Sequence, residues 1–365
     1  MKILFIGDYS NLHACLAKEL RNRGHHVDVL SDRCGYMDTQ SDFYLARNPD
    51  VLGGFRYLCQ LFTLLPRLSG YDVVQFINSN FFSLRPGKIK YFYDRLRSRN
   101  GKLFLTLAGN DYYFVKACCD AEIFRFSEFK IADRLTKFAK GSPERMYGWM
   151  SDENRRWSEY LYDDINGAMS VLPEYDMAAR PVLGDRLAFT NLPVALSDLP
   201  YSDNIVRDKV KIFVGMRSGM EIQKGTSILL NIAKEIEEEM PGRVEVERVS
   251  DVSLDEYLRR MRESNIVLDQ LYAYSPATNA LQAMALGKVA ATGAQPEYYD
   301  YIGNPAQRPV FSLAPADTDI KERIIGLVNS PGKLLALGKE GRAIVEREND
   351  VRVVAQRFLD HWDKC

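Results

Sequence analysis

The sequence has few of the patterns that mark a disulfide framework, a metal site or a membrane span. Its six cysteines form no CxxC pair and its four histidines show no HxxxH spacing, so no zinc site is predicted. No apolar run approaches the roughly eighteen residues of a membrane-spanning helix. The chain opens on a strand pattern rather than a signal peptide, so we expect a cytoplasmic protein with reduced thiols.

An excess of charge of one sign is also lacking. The 365 residues hold 48 Lys and Arg against 49 Asp and Glu, which gives a net charge of -1. This balance argues against a nucleic-acid partner. Apolar residues make up 46% and charged residues 27%, as in ordinary globular proteins. Because single hydrophobic cores usually stop growing below this length, we predict two domains.

The first loop lacks the GxGxxG fingerprint, which disfavours a dinucleotide dehydrogenase. The loop Gly7–Ser10 instead follows a predicted strand at Lys2–Ile6. A helix with leucines at fourfold spacing then ends at Gly24, and a second strand follows at Val27–Leu30. This βαβ pattern indicates an open parallel sheet, whose ligands bind in the loops after the strands.

The same alternation of strands and helices is predicted along the rest of the chain. Strands are predicted at 72–77, 103–107 and 168–172, a long helical stretch from Glu122 to Tyr162, and a proline-containing linker at Asn191–Asp203. A second βα series follows, with strands at 211–214, 244–249, 266–268 and 289–291 and helices at 227–239, 254–262 and 278–286. Ser253 and Glu256 form a capping-box pattern before the second of these helices. Both halves are predicted to be doubly wound sheets.

Two stretches of the second half could bind a diphosphate. Gly215-Met216-Arg217 is followed by Lys224-Gly225 between a strand and a helix, and a guanidinium with an ammonium can neutralise two phosphates. Small and polar residues at 274–279 then lead into an apolar helix, whose free N–H groups favour anions. The alternatives are a basic solvated loop and an ordinary helix cap by Ser275 or Thr278.

In order, these stretches resemble the donor half of GT-B glycosyltransferases, in particular glycosyltransferase family 4. That family has an arginine and a lysine-glycine pair before a Glu-x7-Glu motif ending in EAMA and a glycine, and QAMALGK stands here at 282–288. The opening GDYSNLHACLAKELRNRGHHVDVL, YDVV at 71–74 and TLAGND at 106–111 resemble its N-terminal half. The resemblance covers nearly the whole chain. It implies an α/β fold of the GT-B type, with two Rossmann-like doubly wound domains facing a central cleft.

The resemblance also implies a separate role for each of the two domains. Residues 1–200 would form an acceptor-binding domain onto which the last helix, 350–365, packs back, and residues 204–349 a domain that binds a nucleoside-diphosphate sugar. The sugar would pass, with retention, to a hydroxyl of a glycan or lipid-linked glycan in polysaccharide or glycoconjugate biosynthesis. No further cofactor is expected. A cytoplasmic location at the inner face of the membrane is a further expectation.

Residue by residue, the resemblance implies that Arg217 and Lys224 hold the diphosphate as the catalytic cations and that Gly215 allows its close approach. The family's glutamates fall at Tyr274, which would bind the donor sugar, and at Gln282, which would contact the ribose and keeps an acceptor oxygen. Backbone groups facing the distal phosphate would come from Ala277, Thr278 and Asn279.

In the first half, Ala108 replaces the family's common histidine. Asp111 is an acid/base candidate, with loop capping as the alternative. The polar residues expected to face the cleft are Asp8, Asn11 and Asn110. A DxD pattern at Asp317–Asp319 is better explained by helix capping than by metal binding, and because two cations are available we predict chemistry without a metal.

A basic stretch, Arg85–Lys102, contains Tyr91, Phe92 and Tyr93 and one acidic residue, Asp94. It could lie against an anionic membrane, although a solvated helix face is favoured. Three alternatives to a transferase stay open at this point: a protein that binds the donor without turnover, a GT-B epimerase and a phosphorylase.

Overall fold

The computed structural model describes residues 1–32, 41–304 and 306–365. Its strands, in chain order, are β1 (Lys2–Ile6), β2 (His26–Ser31), β3 (Phe43–Tyr44), β4 (Val73–Phe76), β5 (Lys102–Leu107), β6 (Lys130–Ile131), β7 (Arg134–Leu135), β8 (Gly167–Ser170), β9 (Leu187–Phe189), β10 (Val210–Gly215), β11 (Val244–Val249), β12 (Ile266–Leu268), β13 (Val289–Thr292) and β14 (Phe311–Ser312).

The helices alternate with these strands over most of the chain. They are α1 (Leu12–Asn22), α2 (Gly53–Leu64), α3 (Pro86–Arg97), α4 (Tyr112–Cys118), α5 (Lys137–Gly141), α6 (Pro143–Trp149), α7 (Asp152–Asp164), α8 (Pro173–Leu183), α9 (Glu221–Lys224), α10 (Thr226–Glu239), α11 (Leu254–Glu263), α12 (Thr278–Ala285), α13 (Pro296–Tyr301), α14 (Ile320–Val328), α15 (Pro331–Glu348) and α16 (Val351–Lys364). In the part of the chain described here, no helix combines the length and apolar content that a membrane crossing requires.

Contacts within the chain define two compact units. Unit 1 comprises Met1–Ala117, Glu144–Pro193 and Val351–Cys365, and unit 2 comprises Cys118–Pro143 and Val194–Asp350. The sequence analysis places the domain boundary near residue 200 and packs the last helix, 350–365, back onto the first domain. By contacts, α16 groups with unit 1, and the segment 118–143 groups with unit 2 because its side chains pack there.

Unit 1 is built on a seven-stranded sheet in the order β3-β2-β1-β4-β5-β8-β9, and all its strand pairs are parallel. The side chains of Ile3, Leu4, Phe5 and Ile6 in β1 are all fully buried, as expected of a parallel sheet covered on both faces. The strand order reverses between β1 and β4. Their following loops therefore meet at the carboxyl edge, where open α/β sheets bind ligands.

Unit 2 has a five-stranded parallel sheet in the order β11-β10-β12-β13-β14. Its core combines apolar residues of the strands with those of α10 and α14, for example Ile212, Leu229 and Ile324. The order reverses between β10 and β12. The loops after these two strands thus flank the point at which a ligand is expected.

The helical stretch predicted from Glu122 to Tyr162 is wrong in its first part and is helical only from Lys137 onward. The stretch instead contains the antiparallel hairpin β6–β7 and three separate helices, α5, α6 and α7. By contrast, the predicted helix start is confirmed, because Ser253 Oγ accepts a hydrogen bond of 3.3 Å from the N–H of Glu256 at the start of α11. The Glu256 carboxylate bonds Arg259 and Arg260. The bounds of β1, β11 and β12 match their predicted ranges.

Candidate functional site

The predicted diphosphate-binding residues follow two neighbouring strands of unit 2. Arg217 lies two residues after β10, and Lys224 ends the short helix α9 that follows. The loop after β12 contacts this helix, because the N–H of Leu271 donates a 3.0 Å hydrogen bond to the carbonyl of Lys224. The same loop leads into α12. The structure therefore brings the two predicted stretches together at the carboxyl edge of the sheet.

Both cations are available for a ligand. The side chain of Arg217 is exposed and that of Lys224 is half-buried. Within residues 1–32, 41–304 and 306–365, neither side chain forms an ion pair or a side-chain hydrogen bond. A guanidinium and an ammonium without carboxylate partners can bind phosphate oxygens without first breaking an ion pair.

The N-cap residue of α12 is Ala277, whose side chain has no polar atom and so makes no capping hydrogen bond. The first turn of a helix exposes backbone N–H groups, and together with the helix dipole they favour an anion here. Gln282, one turn further on, is half-buried.

Gly215 is packed against a side chain of unit 2. A Cβ at this position would lie 1.8 Å from the hydroxyl oxygen of Tyr257, so the missing side chain makes room for a tyrosine of α11. That hydroxyl donates a 2.8 Å hydrogen bond to Asn279 Oδ1, and Asn279 Nδ2 donates one of 3.0 Å to Asp269 Oδ1. Both polar groups of the Asn279 side chain are thus used within the protein.

Tyr257 and Asp269 are site residues that the sequence analysis missed. Asp269 follows β12 directly and is buried, and a polar residue at the carboxyl end of an apolar strand was a usable signal. Tyr257 carries no such signal, because its neighbours on α11 are those of an ordinary amphipathic helix.

Tyr274 does not present its side chain to a donor sugar. It is 2% exposed, and its ring stacks on that of Phe126 at 4.7 Å and lies 5.3 Å from that of Phe124. The N–H of Phe126 donates a 3.3 Å hydrogen bond to its hydroxyl. Burial raises the pKa of the Tyr274 phenol. The prediction that Tyr274 binds the sugar therefore has no exposed side chain to support it.

The segment 118–143 supplies polar groups beside Tyr274. Arg125 forms a bidentate pair with Glu297 at 2.6 and 3.1 Å, and its guanidinium lies 5.1 Å from the centre of the Tyr274 ring. Burial favours the neutral form of Glu297, but the hydrogen bonds of Arg125, a backbone hydrogen bond and the charge of Arg125 together outweigh it and lower the pKa. Gln223, next to Lys224, donates a 2.7 Å hydrogen bond to Glu128. This segment thus joins α9, α13 and Tyr274.

In unit 1, Asp111 has the geometry of a helix cap. Its Oδ1 accepts a 2.7 Å hydrogen bond from the N–H of Phe114 in α4, and Oδ2 accepts one from the hydroxyl of Tyr162. Burial raises the pKa of Asp111, although the hydrogen bond from Phe114 opposes this shift. The carboxylate is 3% exposed, and its two oxygens hold the loop to α4 and α7.

The other predicted cleft residues lie at the carboxyl edge of the unit 1 sheet. Asp8 is buried, and its Oδ1 accepts a 2.9 Å hydrogen bond from the N–H of His13. Asn11 is exposed in a left-handed conformation, and Asn110 is half-buried. Asn78, which the sequence analysis missed, joins the loops after β4 and β5 through a 3.3 Å hydrogen bond to the carbonyl of Ala108.

A buried polar chain fixes the first loop. Trp362 Nε1 donates to Gln75 Oε1 at 2.9 Å, and Gln75 Nε2 donates to Thr106 Oγ1 at 2.9 Å. His13 Nε2 lies 3.1 Å from that hydroxyl, and His13 Nδ1 lies 2.7 Å from the carbonyl of Gly7. Burial lowers the pKa of His13 to about 3, against the raising effect of the Gly7 carbonyl. The neutral ring can donate at Nδ1 and accept at Nε2, as these contacts require.

The DxD pattern forms ion pairs with an arginine. Asp317 Oδ2 accepts from the N–H of Ala314 and lies 2.9 Å from Arg323 Nη1, and Asp319 Oδ1 lies 3.8 Å from the same nitrogen. Asp319 precedes α14 without capping it, so the predicted capping hydrogen bond is not formed. No group of three His, Cys, Asp or Glu residues within the described ranges is arranged to hold a metal ion.

Solved structures of similar architecture are glycosyltransferases. No protein-family model and no curated sequence matches the chain. HepE from Anabaena, crystallised with UDP, superimposes with a TM-score of 0.62 at 13% identity over 100% of both chains. Sucrose-phosphate synthase from Thermosynechococcus elongatus gives 0.65 at 13% identity over 100% of this chain and 99% of that one. The chain has the GT-B fold. A glycosyltransferase from Rickettsia africae, with a TM-score of 0.57 at 12% identity over 99% and 97%, shares it.

Proposed function

We propose that the protein is a glycosyltransferase that uses a nucleoside-diphosphate sugar. The observation that carries the proposal is the placement of Arg217, Lys224 and the start of α12 on the loops after β10 and β12, at the point where the strand order of unit 2 reverses. Departure of a diphosphate develops negative charge, and fixed cations and backbone N–H groups stabilise it.

In the proposed reaction the bond between the anomeric carbon and the diphosphate oxygen breaks, and the acceptor oxygen bonds to the anomeric carbon. The acceptor proton passes to the leaving diphosphate or to solvent. Arg217 and Lys224 supply the positive charge, so we propose that turnover needs no metal. Retention of configuration, a hexosyl group and a role in polysaccharide or glycoconjugate biosynthesis are proposed from the resemblance to family 4.

The partners proposed are the sugar nucleotide and a glycan or lipid-linked glycan, at the inner face of the membrane. HepE was crystallised with UDP and with UDP-glucose, so uridine nucleotides are the first donors to test. A melting panel of UDP, GDP, ADP and TDP sugars identifies the base, because a ligand that binds only the folded state raises the melting temperature.

The decisive experiment measures UDP and uridine binding by calorimetry. Arg217→Ala and Lys224→Ala should each weaken UDP binding by roughly tenfold to a hundredfold, because each removes a charge-assisted hydrogen bond to phosphate. Uridine binding should change little. Arg207→Ala and Lys209→Ala are matched controls, since both cations are exposed and precede the opposite end of β10. Equal losses in all four variants would contradict the proposal.

The burial of Tyr274 at the position of the family's sugar-binding glutamate favours one second candidate, a protein that binds the donor without turnover. Release of UDP from UDP-sugars, measured with and without glycan acceptors, separates the two functions. Acceptor-stimulated release that Arg217→Ala abolishes supports the transferase. If a UDP-sugar binds but no UDP is released with any of the acceptors, the second candidate is supported.

A further inference from the structure

Helix α2 of unit 1 carries an exposed apolar stripe. Leu52, Phe55 and Phe62 are 58%, 67% and 50% exposed, and with Cys59 they recur every three or four residues. This spacing places them on one face of the helix. Exposed single apolar residues are common, but contiguous apolar stripes mark binding surfaces.

The stripe continues onto helix α3. The ring of Tyr91, which is 39% exposed, lies 5.9 Å from that of Phe62. Phe92 and Tyr93, which the sequence analysis grouped with Tyr91 as membrane-facing, are buried in the core of the unit and take no part. We call the exposed residues Leu52, Phe55, Phe62 and Tyr91 the α2–α3 surface.

Cations border the α2–α3 surface. Arg85 and Lys88 are exposed at the start of α3 and, within the described chain, form no ion pair. Together with Phe55 they line a groove of about 600 Å³. The guanidinium of Arg95 lies 3.7 Å from the centre of the Tyr91 ring.

Acidic residues are few in the sequence of the segment that holds these cations. The sequence from residue 51 to residue 102 holds nine Lys and Arg residues and two acidic ones, Asp72 and Asp94. Asp94 pairs with Lys90 at 2.8 Å, and Asp72 Oδ2 accepts a hydrogen bond from the N–H of Lys2. Neither carboxylate neutralises Arg85 or Lys88.

We propose that the α2–α3 surface docks on an anionic phospholipid membrane, with the rings entering the headgroup boundary and Arg85 and Lys88 binding lipid phosphates. An apolar helix face flanked by basic residues binds in this way. The inference rests on the proposed function in one respect: a lipid-linked acceptor explains why a transferase would reach a membrane.

The test is cosedimentation of the full chain with phosphatidylcholine vesicles, with and without about one-third phosphatidylglycerol. The protein should sediment only with the anionic vesicles, and less at high salt. Phe55→Ser/Phe62→Ser and Arg85→Glu/Lys88→Glu should each lower the fraction bound by roughly tenfold or more. Tyr147→Ser/Ile205→Ser and Lys209→Glu/Lys234→Glu are matched controls, because they change equally exposed residues elsewhere, and they should bind normally.

Melting temperature and UDP affinity are measured for every variant, so that a folding defect is not mistaken for lost docking. Equal binding to both kinds of vesicle, or parental binding by the α2–α3 variants, overturns the inference. So does concentration-dependent dimerisation without vesicles that Phe55→Ser/Phe62→Ser abolishes, since the stripe would then belong to a second copy. Absent vesicle binding with intact UDP binding refutes the docking alone, whereas the reverse result refutes only the donor site.

Discussion

The hydroxyl of Tyr257 lies 2.8 Å from Asn279 Oδ1, where it holds the side chain at the start of α12 in place. The same hydroxyl occupies the space that a side chain at Gly215 would need. Family resemblance implies that Gly215 makes room for the ligand, but in this structure the missing side chain makes room for Tyr257. Tyr257 in turn orders the start of α12, at which a diphosphate would bind.

Gly215→Ala should therefore displace Tyr257 and weaken UDP binding roughly tenfold, because overpacking of this kind costs about 1–3 kcal/mol. Tyr257→Phe should partly rescue it, since the nearest remaining ring atom, Cζ, lies 2.9 Å from the added Cβ rather than 1.8 Å. Calorimetry on the two single variants and the double variant measures the coupling. Strictly additive losses would show that Gly215 and Tyr257 act separately.

Restoring the family's glutamate at position 274 should damage the protein rather than improve it. Tyr274→Glu would place a carboxylate between Phe124 and Phe126, at a cost of several kcal/mol, ~3 or more. Tyr274→Phe loses only the hydrogen bond from Phe126, about 1 kcal/mol. Melting temperature and limited proteolysis of the 118–143 segment distinguish the two variants. A Tyr274→Glu protein that is as stable as its parent and more active would contradict the burial argument.

The regular βα elements could be predicted because their information is local. Strand β12 is a short apolar run between Asn265 and Asp269, and β11 alternates valine with charged residues. Ser253, followed three residues later by Glu256, marks the start of α11. The hairpin β6–β7 could not be predicted this way. Each of its strands has two residues, and the turn between them places Ala132 at a positive φ of 48°, which no local pattern indicates.

In the candidate site, too, some residues could be predicted from local sequence and others depend on packing. Arg217 and Lys224 could be found because they follow β10 in sequence, and the carboxyl ends of parallel strands gather at one edge. The environment of Tyr274 depends on Phe126, 148 positions away, and that of Gly215 depends on Tyr257 on another helix. Resemblance can align such residues, but only packing decides whether their side chains reach a ligand.

Asp111→Asn separates capping from acid/base catalysis. The amide keeps an acceptor oxygen for the N–H of Phe114, so stability should fall by about 1 kcal/mol and turnover should stay within about threefold of the parent. Asp111→Ala loses both hydrogen bonds and should cost about 2–3 kcal/mol. Thermal melting and UDP release are measured on both variants. If Asp111→Asn keeps its stability but loses about a hundredfold or more in turnover, the carboxylate is a catalytic acid or base.

The buried chain through His13 predicts acid sensitivity in unit 1. The ring has a folded pKa of about 3 and an unfolded value near 6.5, so the unfolded chain binds one proton more between these limits. The stability contributed by the neutral His13 ring is therefore fully present above pH ~6.5. As the pH falls from there toward the folded pKa, the free energy of unfolding decreases by about 1.4 kcal/mol per pH unit. Protonation also turns His13 Nε2 from an acceptor into a donor. The Thr106 hydroxyl then faces donors from both His13 and Gln75, and its own hydrogen loses His13 Nε2 as an acceptor.

Hydrogen exchange of the β1 and β4 amides between pH 5 and 7, corrected for intrinsic exchange rates, measures this slope within unit 1. The variant His13→Asn lacks the titrating ring, so it should be less stable at pH 7 and should lose the slope that one proton contributes. Because the carboxylates of unit 1 remain in both proteins, the difference between their pH profiles isolates His13. Parallel profiles would mean that the His13 ring binds its proton equally well in the folded and the unfolded protein, and the neutral hydrogen-bond chain from Trp362 to Gly7 would then be wrong.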